Sequence, residues 1–277
     1  MAANVSTVYS LTELATYVMN VNMFPLFYGA HFVLASRIVR EDSKDLGPKF
    51  KQNHPFASWF CTVIAGLSGV FVANFLFSHP LIDILKEHGL IIYITLIWYL
   101  MNYSPFDIVY KVMNLYSIVL IAAVLQEFLR VRFIYLGLQQ AARVYPDAYI
   151  IMLIGGTIKG NGYGFIKIVE RLIRGKWSPN TNEILHVTHF AKSAMYASLA
   201  FLLHNTKVIQ VPIELLYLGI IIVFVVLRIL IIVGGIADPL ELLEKPVCLL
   251  LFGSGAVDTG KEKKEKKENE EKEKKMK

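Results

Sequence analysis

A chain of 277 residues that is 55% hydrophobic and 18% charged, with a mean hydropathy of +0.49, is too apolar for an ordinary soluble domain. Its net charge of +6 does not mark a nucleic-acid binder, because the basic residues sit in short loops and a terminal run and form no basic-aromatic surface. Two cysteines, Cys61 and Cys248, far apart in apolar surroundings, exclude a disulfide framework and a zinc motif.

A helix needs roughly 20 mostly apolar residues to cross about 30 Å of hydrocarbon. In chain order, the first predicted span runs from Leu11 to Val39, with Pro25 expected as a kink inside it. The first residues lack a basic region and a small-residue cleavage site, so this span is expected to act as its own insertion signal. After a polar loop from Arg40 to Asn53 come spans two, Pro55 to Phe77, and three, Leu81 to Met101. Pro105 and Asp107 read as a helix start, opening span four from Ile108 to Leu138, which Gln126, Glu127, Arg130 and Arg132 interrupt. Span five runs from Pro146 to Val169, span six from Ile184 to Leu203 and span seven from Ile213 to Ile236. The expected layout is an all-α membrane domain over 1–252 and a charged cytosolic tail over 253–277.

Orientation follows from lysine and arginine near the span ends. None precedes span one, whereas the first loop carries Arg37, Arg40, Lys44, Lys49 and Lys51, and the loop after span five carries Arg171, Arg174 and Lys176. This predicts a lumenal N-terminus, with the sequon Asn4-Val5-Ser6 on that side, and a cytosolic C-terminus. Arg143, in a loop expected outside, runs against the trend. The Lys/Glu tail from Lys261 lacks apolar periodicity and is expected to be disordered. It ends Lys274-Lys275-Met276-Lys277, which resembles a dilysine retrieval signal of endoplasmic reticulum membrane proteins.

Spans two and five share a pattern. Span two carries Ala65-xxx-Gly69-xxx-Ala73 beside Gly66, and span five carries Gly156-xxx-Gly160-xxx-Gly164 beside Gly155 and Gly162. Each is followed by a Ser/Pro break, Ser78-His79-Pro80 and Ser178-Pro179, and then by an acid with Ile-Leu. The pattern predicts two inverted three-helix repeats, about 10–105 and 106–205, with a seventh helix at about 212–236. Such repeats with glycine-interrupted helices mark permeation or binding sites. Small residues every four positions equally serve close packing. Five glycines in span five favour a broken helix, since each costs about 1 kcal/mol relative to alanine.

Lys159 lies among those glycines, where an intramembrane cation costs about 2.5–3.5 kcal/mol and usually faces a partner, pore or aqueous cavity. Glu127 and Arg130, three apart, are spaced to pair, and Gln126 shares a face with Arg130. Arg130, Lys159 and the freed amides around Gly160, Asn161 and Gly162 are expected to form one anion site suited to a phosphoinositide headgroup. Arg228 is expected to pair with an acid or line a cavity. His186 and His189 lack further ligands for a metal. No paired acids or nucleophile–base group suggests catalysis. A secondary transporter has the same repeat logic, but the span interiors are poor in coupling acids.

The stretch Lys159-Gly160-Asn161-Gly162, the run Leu172 to Leu185 (LIRGKWSPNTNEIL), Pro105-Phe106-Asp107-Ile108-Val109-Tyr110-Lys111 and Glu127-Phe128-Leu129-Arg130-Val131-Arg132 resemble the trimeric intracellular cation channels, most nearly an invertebrate type-B member. The resemblance implies a homotrimer in endoplasmic or sarcoplasmic reticulum membrane. It implies a pore in each protomer walled by bent helices two and five, with Gly66, Gly69, Lys159, Gly160, Gly162 and Gly164 at the helix breaks. It implies potassium as permeant ion, counter-ion flow during calcium release, no catalytic cofactor, and phosphatidylinositol 4,5-bisphosphate bound through Gln126, Arg130, Lys159, Gly160, Asn161 and Gly162. Gln126 stands where the family often has lysine, so one positive charge is absent.

Overall fold

The computed structural model describes residues 2–47, 49–177, 183–236 and 238–241, with side chains from residue 10 onward. Ser178-Pro179, the Lys/Glu tail and its dilysine ending lie outside the described residues. The chain divides into two compact units, Met1–Ile236 and Ala237–Lys277. Of the second, only 238–241 are described, a turn in which Asp238 Oδ1 accepts the Leu240 N–H at 3.0 Å. Every helix named below belongs to the first.

The expected first span is two helices, α1 (Ala2–Asn20) and α2 (Leu26–Asp42). Pro25 stands at the N-terminal edge of α2, where its missing N–H costs no helical bond, so it separates helices instead of kinking one. A short turn, α3 (Phe50–Asn53), leads to α4 (Pro55–Leu76), which has proline in its first turn. α4 is uninterrupted, so the break expected at Gly66 and Gly69 is absent from it. Residues Leu81–Lys86 coil as a 3-10 segment, and α5 (His88–Tyr103) starts only after it.

The expected fourth span also divides, into α6 (Ile108–Met113) and α7 (Tyr116–Val144). The expected fifth span is broken at Asn161 into α8 (Tyr149–Gly160) and α9 (Gly162–Ile173). α10 (His189–Asn205) begins where Thr188 caps it, its side chain accepting from the Ala191 N–H, five residues later than expected. α11 (Ile213–Ile232) follows Pro212.

Among the described residues, α4 and α11 are long and apolar enough to span a bilayer unaided, and α5 joins them if counted with Pro105–Met113, from which it is bent by 91°. The other expected spans miss that standard for identifiable reasons. α2 has 17 residues and carries Arg37, Arg40, Glu41 and Asp42; α7 carries the charged group around Arg130; α8 and α9 are halves of a broken helix.

Two trios pack in parallel fashion. α2, α4 and α5 contact one another, as do α7, α8 and α10. The trios join through matching members, α2 on α7 and α4 on α8 and α9, and α11 lies against α7. Phe32, Leu67, Ile94 and Met101 fill the core of the first trio, and Ile134, Leu138, Phe201 and Tyr217 that of the second with α11. Ile222, Val223 and Val226 of α11 are half exposed, as expected of residues that meet lipid, where an apolar side chain gains nothing by leaving its surroundings.

Candidate functional site at the helix break

The break at Asn161 is seated on α4. A β-carbon on Gly69 would collide with the Lys159 carbonyl oxygen, and one on Gly162 would collide with the Gly69 backbone. Both positions therefore require glycine for close approach, and the small-residue pattern of α4 serves packing rather than a break. Gly160 is pressed against Ile134 of α7, and Gly66 against Ile94 and Phe32. Gly164 leaves room for Glu183. That carboxylate accepts from Asn161 Nδ2 at 3.3 Å and from the Thr188 N–H at 3.0 Å, tying the break to the start of α10.

Lys159, on the last turn of α8, donates to Gln140 Oε1 of α7 at 2.8 Å. No carboxylate pairs with it among the described residues. Gln140 was not singled out from sequence, because nothing local marks which amide on a neighbouring helix faces Lys159.

Arg130 is engaged elsewhere. It donates to Glu127 Oε2 at 2.7 Å, to the Phe190 carbonyl at 2.9 Å and to Ser193 Oγ, and its guanidinium lies between the Phe190 and Phe224 rings. Arg228 of α11 faces the other oxygen of Glu127 at 3.7 Å and stacks on the same Phe190. The expected Glu127–Arg130 pair and an acid partner for Arg228 are both present. Arg132 turns away, to the Met19 carbonyl. Gln126 donates to His31 Nδ1 at 3.0 Å, and His31 Nε2 lies 2.9 Å from the Gly66 carbonyl, which assigns the ring proton to Nε2.

Arg130 and Lys159, expected to share one anion site, are each held by other groups of the protomer, and the Asn161 N–H expected to be free donates to the Thr157 carbonyl at 3.0 Å. Gln140, which holds Lys159, is ten residues beyond Arg130 on α7, about 15 Å at 1.5 Å per residue. Lys159 itself stands nearer, its β-carbon against Gly137, and the two cations serve different partners.

A second charged centre ties the end of α2 to that of α9. Asp42 accepts from Arg171 Nε at 3.0 Å and from Arg174 Nη2 at 2.6 Å, and Arg174 also reaches Glu170 at 2.8 Å and Ser43 Oγ at 2.9 Å. Burial raises the Asp42 pKa, but the bonds and charges of Arg171 and Arg174 outweigh it and bring it down to about 2. Glu170 and Arg174 stand at helical i, i+4 spacing, legible in sequence; Asp42, in another helix, is not.

These features define an all-α integral membrane protein organised around a broken helix that presents a cation between two small-residue contacts. The chain belongs to the TRIC channel family, whose model matches residues 45–234. It is thus related to channels and is not an enzyme. It is 34% identical over 253 residues to the Caenorhabditis elegans trimeric intracellular cation channel type 1B.2, covering 90% of this chain and 80% of the relative. It is 31% identical over 252 residues to the type A channel of Oryctolagus cuniculus, covering 89% and 83%. A solved trimeric intracellular cation channel from C. elegans in the absence of calcium superposes with a TM-score of 0.74 at 35% identity, over 80% of this chain and 95% of that one. A structure described as a basis for the activity of TRIC counter-ion channels in calcium release gives 0.77 at 27% identity, over 81% and 100%. The family resemblance read from sequence is thereby established, and so is the all-helical fold.

Proposed function

We propose that this protein is a monovalent-cation channel, with potassium as permeant ion, that supplies counter-ion flow during calcium release from endoplasmic or sarcoplasmic reticulum. In this reading it is a homotrimer with seven spans per protomer, α2, α4, α5, α7, the broken α8–α9, α10 and α11, the N-terminus lumenal and the C-terminus cytosolic. The two helix trios are the inverted repeats, consistent with their matched packing. The family and the printed descriptions of its relatives support the ion class.

The observation that carries the reading is the break at Asn161 seated on Gly69, with the Lys159 ammonium held by a neutral amide. A broken span frees backbone polar groups at membrane depth, which is tolerated where they are buried or line a water-filled path. An unneutralised lysine beside such a path acts on passing cations. Phosphatidylinositol 4,5-bisphosphate is proposed as a bound lipid, offered Lys159 and the backbone beyond the break at Gly162; Gln126 and Arg130 are engaged within the protomer, by His31 and by Glu127, Phe190 and Ser193.

Current through the purified protein in a planar bilayer under a potassium chloride gradient tests the proposal. Discrete openings reversing near the potassium potential are expected. Silence at all voltages, with and without phosphoinositide, together with substrate-coupled uptake into vesicles, would replace the channel with a transporter.

A further inference from the structure

The corner between α5 and α7 exposes apolar side chains that the channel reading does not use. Phe106 and Asp107 are consecutive non-glycine residues with positive φ, 53° and 56°, a region bulky L-residues rarely adopt. The corner is held there by its polar side. Asp107 pairs with Arg40 at 3.0 Å and with Lys51 at 3.4 Å; Lys51 also donates to the Asn102 carbonyl at 3.0 Å; Tyr103 Oη donates to the Lys51 carbonyl at 2.6 Å. The Arg40 guanidinium covers the Tyr110 ring at 3.6 Å. These ties draw Asp107 toward α2 and α3, while Tyr116 Oη at the far end donates to the Ile232 carbonyl of α11 at 3.4 Å, and Phe106 points away, 87% exposed.

Its neighbours repeat the pattern. Ile108, Val112, Leu115 and Tyr116 are between 41% and 58% exposed, and Ile108 and Val112 share a helical face. Lys111 is exposed at the edge of that face. The segment Pro105–Met113 stands at 91° to α5. With α5 crossing the bilayer, this segment runs along the membrane surface, on the side where Arg37, Arg40, Lys44, Lys49 and Lys51 gather.

We propose that this corner, from Pro105 to Tyr116, is an interfacial anchor whose partner is a lipid surface. Phe106, Ile108, Val112, Leu115 and Tyr116 enter the headgroup–acyl boundary, and Lys111 extends to anionic headgroups. Geometry selects lipid as the occupant: a helix perpendicular to a span has its outer face at the depth where aromatic side chains and lysines are favoured, and the cations beside it complement an anionic leaflet. The inference rests on the reading of α5 and α11 as membrane spans.

The test uses the full chain in a Cys248→Ala background, Cys61 being buried. It is reconstituted in vesicles of phosphatidylcholine and phosphatidylserine, with spin labels on Phe106→Cys, Val112→Cys, Lys44→Cys and Val223→Cys in turn. Collision with oxygen, which partitions into lipid, is compared with collision with a water-soluble nickel chelate. Labels at 106 and 112 are expected to favour oxygen several-fold over the label at 44, approaching that at 223. Labels at 106 and 112 as open to the chelate as that at 44 would overturn the anchor while leaving the spans intact. Shielding from both reagents would assign the corner to a second copy of the chain and equally overturn it. A label at 223 that favours the chelate would remove α11 from lipid, and the membrane reading and the anchor would fall together. Because 106 and 112 are read separately, a misfolded variant at one position leaves the other to decide.

Discussion

The Lys159 ammonium donates to Gln140 Oε1 at 2.8 Å across the contact between α8 and α7, so an intramembrane cation is oriented without being neutralised. A unit charge about 5 Å from a passing cation in water-like surroundings changes its energy by roughly 0.8 kcal/mol, about fourfold in occupancy. Gln140→Glu supplies the missing carboxylate. Its single-channel potassium conductance is expected to rise up to about fourfold, and Lys159→Gln is expected to move it the same way. No change in conductance in either variant would place Lys159 off the ion path.

Gly69 and Gly89 provide opposite outcomes from one substitution. At Gly69 the added methyl meets the Lys159 carbonyl, whereas at Gly89, in the first turn of α5, nothing stands within 4 Å. Gly69→Ala is expected to cost about 1–3 kcal/mol through overpacking. Gly89→Ala is expected to be neutral or to stabilise by up to about 1 kcal/mol. Thermal melting of the two purified variants in the same detergent distinguishes them; equal melting temperatures would show that the Gly69 contact relaxes freely.

The centre around Asp42 predicts an acid limb. Its folded pKa, about 2, lies below the ordinary carboxylate value, so its stabilisation is fully present above the unfolded pKa near 4 and is lost as pH falls from there through about 2. Asp42→Asn is expected to lower the melting temperature at pH 7 and to flatten its fall between about pH 4 and pH 2. An unaltered acid limb would assign acid sensitivity to other groups. Arg174→Met leaves Glu170 buried without its partner and is expected to destabilise by about 3–5 kcal/mol.

Glu127 is shared unequally, at 2.7 Å from Arg130 and 3.7 Å from Arg228. Arg130→Leu is therefore expected to destabilise by about 3–5 kcal/mol, and Arg228→Leu by clearly less, because Arg130 continues to satisfy the carboxylate. Chemical denaturation of the purified variants checks the order, and equal losses would contradict it.

Gln126→Lys places a second cation one turn before Arg130, with His31 Nδ1 still able to accept from it. A charge crossing the whole membrane field contributes at most about 2.3 kcal/mol per 100 mV. The variant is expected to change the voltage dependence of opening and to raise affinity for phosphoinositide in a lipid-binding assay. Unchanged values of both would leave Gln126 without that role.

Much was legible in the chain itself. The apolar runs, the positions of proline and the unusual glycine density announced a helical membrane protein and a broken span near Gly160. The i, i+3 spacing of Glu127 and Arg130 announced their pairing, because a helix makes neighbours of residues one turn apart. Other features were beyond such reading. Pro25 and Pro105 mark boundaries in any account, but whether a proline kinks a span or separates two helices depends on what the flanking segments pack against. Gly69 and Gly162 look alike in sequence, and only the folded backbone shows that one lies within a continuous helix and the other just beyond a break, pressed against each other.

The partners of the charged groups were decided by tertiary structure alone. Lys159 with Gln140, Gln126 with His31 and Arg174 with Asp42 each join separate helices, and helical periodicity orients a side chain about its own axis without specifying the azimuth or depth of the next helix. The same freedom is why Arg130 and Lys159, plausible companions in sequence, end with different partners. The amino-acid order determined which segments are apolar enough to enter lipid, because transfer of a segment is a local property summed along the chain. Which cations meet which acceptors was set by packing among helices distant in sequence.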